Sequence, residues 1–168
     1  MENAGRGLQE RYAPAGRCFG CGPANPGGLR IRTVETGGPG QVETRWQASK
    51  AHEAFDRVVN GGICATLLDC TMNWAAISAL VDHEGAAVAP DTVTAELSVR
   101  YLAPTPSDRP VVVSARVVAI DGRRVTVEGT LEADGRTTAS GRGTFVVVGS
   151  GHAATGRWRA SPRAEGRE

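Results

Sequence analysis

Val58-Val59-Asn60-Gly61-Gly62-Ile63-Cys64-Ala65-Thr66-Leu67-Leu68-Asp69-Cys70-Thr71-Met72-Asn73-Trp74-Ala75-Ala76-Ile77-Ser78-Ala79-Leu80-Val81 is the stretch that decides the fold, because Asp69 is its only formally charged side chain. From Ile63 to about Val81 it is rich in Ala and Leu and reads as one helix. A helix of about twenty residues is about 30 Å long. One that is apolar nearly all round has to be buried. A membrane span would satisfy the length. Thr66, Asp69, Thr71, Asn73 and Ser78 count against a span. So does the rest of the chain, which is made of hairpins. The simplest way to hide such a helix is an α+β architecture, with an antiparallel sheet of about six strands wrapped around it.

The strands lie on both sides of the helix. Leu29 to Val34 alternates apolar and basic residues, Gly37-Gly38-Pro39-Gly40 turns the chain, and Gln41 to Gln47 reads as the partner strand. His52 to Val59 is an irregular connection. Beyond the helix, Asp91 to Leu102 places Val93, Ala95, Leu97, Val99 and Tyr101 on one face, and Pro104 and Pro106 end it. Val111 to Ile120, Val125 to Ala133 and Thr137 to Val148 are three long strands, joined at Asp121-Gly122 and Asp134-Gly135. Asp-Gly pairs are strong hairpin signals. The order of two strands, one helix and four strands contains no repeat and no second domain. Residues 1–17 and 150–168 read as loose segments around a domain of residues 18–149.

Composition narrows the function. The 168 residues fit one domain, and 40% hydrophobic with 22% charged residues is ordinary for a globular protein. Net charge is +1, and the tail contributes +2 through Arg157, Arg159, Arg163 and Arg167 against Glu165 and Glu168. The rest carries −1, which argues against a protein that tracks nucleic-acid phosphates. Met1 to Gly16 has no apolar stretch that would serve as a secretory signal. The expected location is cytoplasmic, with Cys18, Cys21, Cys64 and Cys70 as reduced thiols.

Two features of the helix carry chemistry. Asn60-Gly61-Gly62 stands at its start, where glycine allows close approach to a ligand and free N–H groups favour a negative oxygen. The same residues also suit a plain Asn cap with a tight turn. Asp69 lies two turns inside, and no Lys or Arg is within a turn of it. An unpaired buried carboxylate is costly, so it either finds a hydrogen bond, to the backbone or to Asn73, or serves as a general base or nucleophile in a cleft.

The run from Val59 to Asp69 resembles the helix-start signature of hot-dog-fold acyl-CoA thioesterases of the phenylacetic-acid-degradation type. In these, His-Gly-Gly is followed seven residues after the second glycine by Asp or Glu. Val93-Thr94-Ala95-Glu96-Leu97-Ser98-Val99-Arg100-Tyr101-Leu102-Ala103-Pro104 is similar to the strand after the helix. Asp121-Gly122-Arg123 and Gly141-Arg142-Gly143-Thr144-Phe145 are similar to later hairpins, and Cys18-Phe19-Gly20-Cys21-Gly22 with Asn25-Pro26-Gly27-Gly28-Leu29 to an opening header. The resemblance implies hydrolysis of an acyl- or aryl-CoA thioester. Gly61 N–H would polarise the carbonyl, Asp69 would attack it or activate water, and Thr94 would help to position that water. Asn60 stands where many members have His, and it cannot exchange protons near neutral pH.

Gly62, Asn73, Trp74, Arg123 and Arg124 complete the candidates, as substrate-binding residues. Trp74 also suits the core or an interface, and Arg123 with Arg124 could meet the phosphates of coenzyme A from a hairpin turn. No cofactor and no metal are expected. The Cys18/Cys21 pair lacks the second pair of a zinc site, Cys64 and Cys70 point to different sides of the helix as small core residues, and His52, His83 and His152 read as solvated surface. Two other functions keep the same fold: a thioesterase acting on acyl carrier protein, and a non-catalytic acyl-CoA binder. Gly61 and Asp69 are eight residues apart, about 12 Å along a helix, too far for one chain to place both on one carbonyl. The expected assembly is therefore a homodimer, or a dimer of dimers, with two shared sites; nucleic acid and membrane are not expected partners.

Overall fold

The computed structural model describes residues 6–159. A short helix, α1 (Leu8–Tyr12), precedes β1 (Thr33–Gly38) and β2 (Gln41–Trp46). A single 3-10 turn at Lys50–His52 leads to two short strands, β3 (Glu53–Phe55) and β4 (Val58–Val59), then to the long helix α2 (Gly61–Glu84). Four strands close the fold: β5 (Thr92–Tyr101), β6 (Val111–Asp121), β7 (Arg124–Ala133) and β8 (Arg136–Val147). Six of the strands form one antiparallel sheet in the order β1-β2-β6-β7-β8-β5, and β3 pairs with β4 apart from it. The sheet wraps around α2, which is the hot-dog arrangement expected from the apolar run.

Burial explains α2. Leu67, Leu68, Met72, Trp74, Ala75, Ala76 and Ile77 are fully buried, and burying each large side chain contributes about 1.5–3 kcal/mol. By length and composition α2 could cross a membrane, but 78% of its apolar window is covered by the rest of the chain. Asn60 caps it, with Oδ1 accepting from Gly62 N at 2.8 Å, and Gly85 ends it in the left-handed region at φ 60°. It therefore runs three residues beyond the expected end. Inner-face residues of β6 and β7, among them Val113, Val125, Val127 and Leu131, pack on the helix. Gly129 and Gly141 are paired across β7 and β8 beneath Met72. A Cβ on Gly129 would lie 3.1 Å from Met72 Cγ, so the glycine pair lets the helix sit close to the sheet.

Both Asp-Gly hairpins form. In the second, Asp134 (φ 51°) and Gly135 (φ 73°) take the two positive-φ positions of a tight two-residue turn. Elsewhere the expectations need correction. Leu29 to Ile31 is not a strand: Arg30 is left-handed at φ 53°, and the N–H groups of Leu29 and Ile31 donate to the carbonyls of Phe19 and Gly20. The 18–31 segment folds on itself, and β1 starts only at Thr33. The irregular connection after His52 holds the β3/β4 pair, whose strands are too short to show a period. The opening segment is not loose from Leu8 onward. Leu8 and Gln9 are buried, and the Gln9 amide bonds both Thr33 Oγ1 and Thr33 N at 2.9 Å.

The expected loose tail is also anchored as far as Arg159. Trp158 is 5% exposed and packs against Trp74 with ring centroids 5.2 Å apart, while Arg157 Nη1 donates to Thr92 O. Residues 160–168, with Arg163 and Arg167, lie outside the described residues.

Candidate active site

The two ends of the site are built by α2 and β5. At the helix start, Asn60 Oδ1 takes the Gly62 N–H and Asn60 O takes the Cys64 N–H. Among the described residues nothing accepts from the Gly61 N–H. That donor lies at the positive end of a 24-residue helix, where a developing oxyanion is favoured. Tyr101 Oη donates to Gly61 O at 2.7 Å and holds this end to β5.

Two turns further on, Thr94 Oγ1 donates to Asp69 Oδ1 at 2.8 Å. One turn beyond, Thr92 Oγ1 donates to Asn73 Oδ1 at 2.7 Å. The two bonds are rungs of one ladder: four helical residues advance about 6 Å and two strand residues about 6.7 Å, so the spacings match. Asp69 is half-buried. Burial pushes its carboxyl above the usual range; the Thr94 hydroxyl opposes that, the charge of Cys18 adds to it, and Arg157 partly offsets it.

A β-bulge sets this geometry. In β5, Thr94 pairs with Phe145 and Glu96 with Thr144, so Ala95 is an extra residue. Thr94 and Tyr101, seven apart, would face opposite sides of a regular strand, yet both bond α2. The expected face of Val93, Ala95, Leu97, Val99 and Tyr101 is therefore split at the bulge: Thr92 and Thr94 share the helix side with Leu97, Val99 and Tyr101.

The remaining candidates separate. Gly62 sits exposed at the helix start beside Gly61. Asn73 is buried and accepts from Thr92, and Trp74 is fully buried. Arg124 pairs with Val146, and Val146 with Val93, which puts the Arg123–Arg124 turn one register row from Thr94, at the Asp69 end. Arg123 Nε donates to Val147 O at 2.9 Å. A cleft of about 330 Å³ opens beside Gly61, lined by Phe55, Val58, Cys64, Tyr101 and Leu102. A broader hollow of about 540 Å³ lies on the outer face of the sheet among Arg100, Arg116, Glu128 and Arg142, away from these groups.

Sequence reasoning passed over Tyr101, which reads as one more apolar strand residue, and Arg157, which lies in the supposed tail. It also set Cys70 apart from Cys18 and Cys21, whereas the three thiols meet within 4.8 Å of one another.

The family model of the thioesterase superfamily matches residues 57–149. Among solved structures, a thioesterase superfamily protein is 28% identical with a TM-score of 0.62, the alignment covering 81% of this chain and 63% of that one. The chain thus spans a little under two thirds of that relative's length. A Ralstonia eutropha protein described as a putative thioesterase related to phenylacetic acid degradation is 25% identical, with a TM-score of 0.62 and coverage of 74% and 90%. A hypothetical thioesterase from Streptococcus pneumoniae, solved with coenzyme A, shares the fold at 18% identity, a TM-score of 0.60 and coverage of 71% and 86%. No curated protein matches the chain.

Proposed function

Because this chain belongs to the thioesterase superfamily, as a hot-dog thioesterase of the phenylacetic-acid-degradation type, we propose that it hydrolyses an acyl- or aryl-CoA thioester to the free acid and CoA. Water adds its oxygen to the carbonyl carbon, the C–S bond breaks, and a proton ends on the CoA sulfur. Gly61 N–H donates to the carbonyl oxygen. Asp69 acts as nucleophile or general base, with Thr94 fixing one of its oxygens.

The observation that carries this reading is the pairing of the unengaged Gly61 N–H with the half-buried, Thr94-held Asp69 on one helix. The two are about 12 Å apart along α2, so the site takes Gly61 from one subunit and Asp69 from a two-fold partner. Exposure agrees with a second chain at this place: Phe55, Tyr101 and Leu102 are large apolar side chains, each more than half exposed around Gly61. The apolar cleft they line takes the acyl group, and the Arg123–Arg124 turn takes CoA phosphates.

Release of free thiol over a panel of acyl- and aryl-CoA thioesters, with the same acyl groups loaded on acyl carrier protein, tests the reading. Saturable thiol release from the CoA series is the expected result. Tight binding of acyl-CoA without release would instead make the protein a non-catalytic binder.

A further inference from the structure

Cys18 and Cys21 come from the opening loop and Cys70 from the middle of α2, yet their three sulfurs lie within 4.8 Å of one another, with Cys18 Sγ and Cys70 Sγ 4.0 Å apart. Tetrahedral zinc with Zn–S bonds of about 2.3 Å places its sulfurs about 3.8 Å apart. The spacing therefore suits a metal with little movement.

Contacts from the loop backbone and from one indole frame the cluster. The loop closes through Gly22 N donating to Cys18 O at 2.9 Å. Trp74 Nε1 donates to Cys21 Sγ at 3.3 Å. Such N–H donors orient and stabilise metal-bound sulfur. Two glycines make the approach possible: a Cβ on Gly20 would lie 2.3 Å from Cys70 Sγ, and one on Gly22 would lie 2.5 Å from Cys18 N. Cys21 and Cys70 are buried while Cys18 is half-buried, so one side of the cluster stays open to solvent. Cys64, six residues before Cys70, takes no part and faces the cleft beside Gly61.

We propose that Cys18, Cys21 and Cys70 form a three-thiolate zinc site, completed by a water on its open side, that staples the 18–31 segment to α2 one residue from Asp69. Thiolates select soft ions, and three protein ligands with water is an established zinc coordination. The pair that looked incomplete as Cys-x-x-Cys is completed from the helix.

The full chain, purified under reducing conditions and stripped with chelator, is reloaded with Zn²⁺ or Co²⁺, desalted and measured by elemental mass spectrometry and absorption. The expected result is one metal per chain, thiolate-to-cobalt charge-transfer bands with tetrahedral visible bands, and a higher melting temperature on adding Zn²⁺. Cys18→Ser, at the half-exposed position where folding is least at risk, should lose the metal and the bands, and Cys64→Ser should keep both. Failure of the wild-type chain to hold Zn²⁺ against a chelating indicator, equal binding by Cys18→Ser, or a cobalt spectrum of six oxygen ligands would overturn the proposal.

Discussion

Asp69 is a liability unless it is used. A carboxylate that is half out of water costs more to bury than an amide, and one hydroxyl from Thr94 does not replace its hydration. Asp69→Asn should therefore lower thioester turnover by at least about 10²-fold, the low end for loss of a positioned acid–base group, while leaving the melting temperature unchanged or higher. Thiol release and a thermal melt on the same preparation check both halves; retained activity would remove Asp69 from the mechanism. Asn60 carries a different load, because its side chain caps α2 through Gly62 N. Asn60→Ala is expected to cost about 1 kcal/mol of stability, read from denaturant unfolding. Asn60→His, the residue that stands there in many resembling enzymes, should keep activity within about tenfold of the parent, or about 1.4 kcal/mol of barrier. A loss as deep as that of Asp69→Asn would give Asn60 a chemical role of its own.

The elements show where sequence patterns are reliable. Asp-Gly pairs marked both late hairpins because turn demands are local, although the first turn falls one residue later, at Gly122-Arg123, with Asp121 still paired to Arg124. The apolar run fixed α2 because a helix without a polar face has only the core to occupy. The pattern misled in β5, where alternation was read straight through the bulge at Ala95 and Thr94 came out on the wrong side. It misled again at Leu29 to Ile31, whose apolar–basic alternation serves a loop that bonds Phe19 and Gly20. Asn73 shares helical spacing with Asp69 but lies in the core, since periodicity gives a direction and not a depth. Cys70 could not be joined to Cys18 and Cys21 at all, because a contact across 49 residues of chain leaves no local trace. The hydroxyl that β5 presents to the helix gives a sharp test. Thr94→Val keeps a β-branched side chain but removes the donor to Asp69. Thiol release should fall by at least about tenfold, roughly the value of one hydrogen bond to a charged group. Circular dichroism should still report the folded sheet, and undiminished activity in the folded variant would show that Thr94 does not serve Asp69.

At the scale of the whole molecule, the proposed site belongs to two chains, because Gly61 and Asp69 lie about 12 Å apart along one helix. Gly61→Pro removes the donor N–H where proline suits the first helical position, and Asn60 at φ −57°, ψ 134° already has the conformation that precedes proline. Alone it should lose about 10²–10³-fold in turnover, as for one oxyanion donor. Mixed with Asp69→Asn under conditions that allow exchange, it should recover roughly a quarter of wild-type activity, because half the dimers are mixed and each holds one intact site. A mixture no more active than its components, or an active monomer on sedimentation, would place the whole site in one chain. The strand order has a further consequence, in time rather than space. On the ribosome α2 is complete at Glu84, but among the described residues β5 is an edge strand that pairs in the sheet with β8, which is made after every other described strand. At roughly 5–20 residues per second, several seconds of synthesis separate the helix from the strand that seals it. Throughout that interval the nascent chain presents a helix long and apolar enough to be mistaken for a membrane anchor. Newly made chains therefore depend on whatever shields α2 as it emerges, long before any thioester is met.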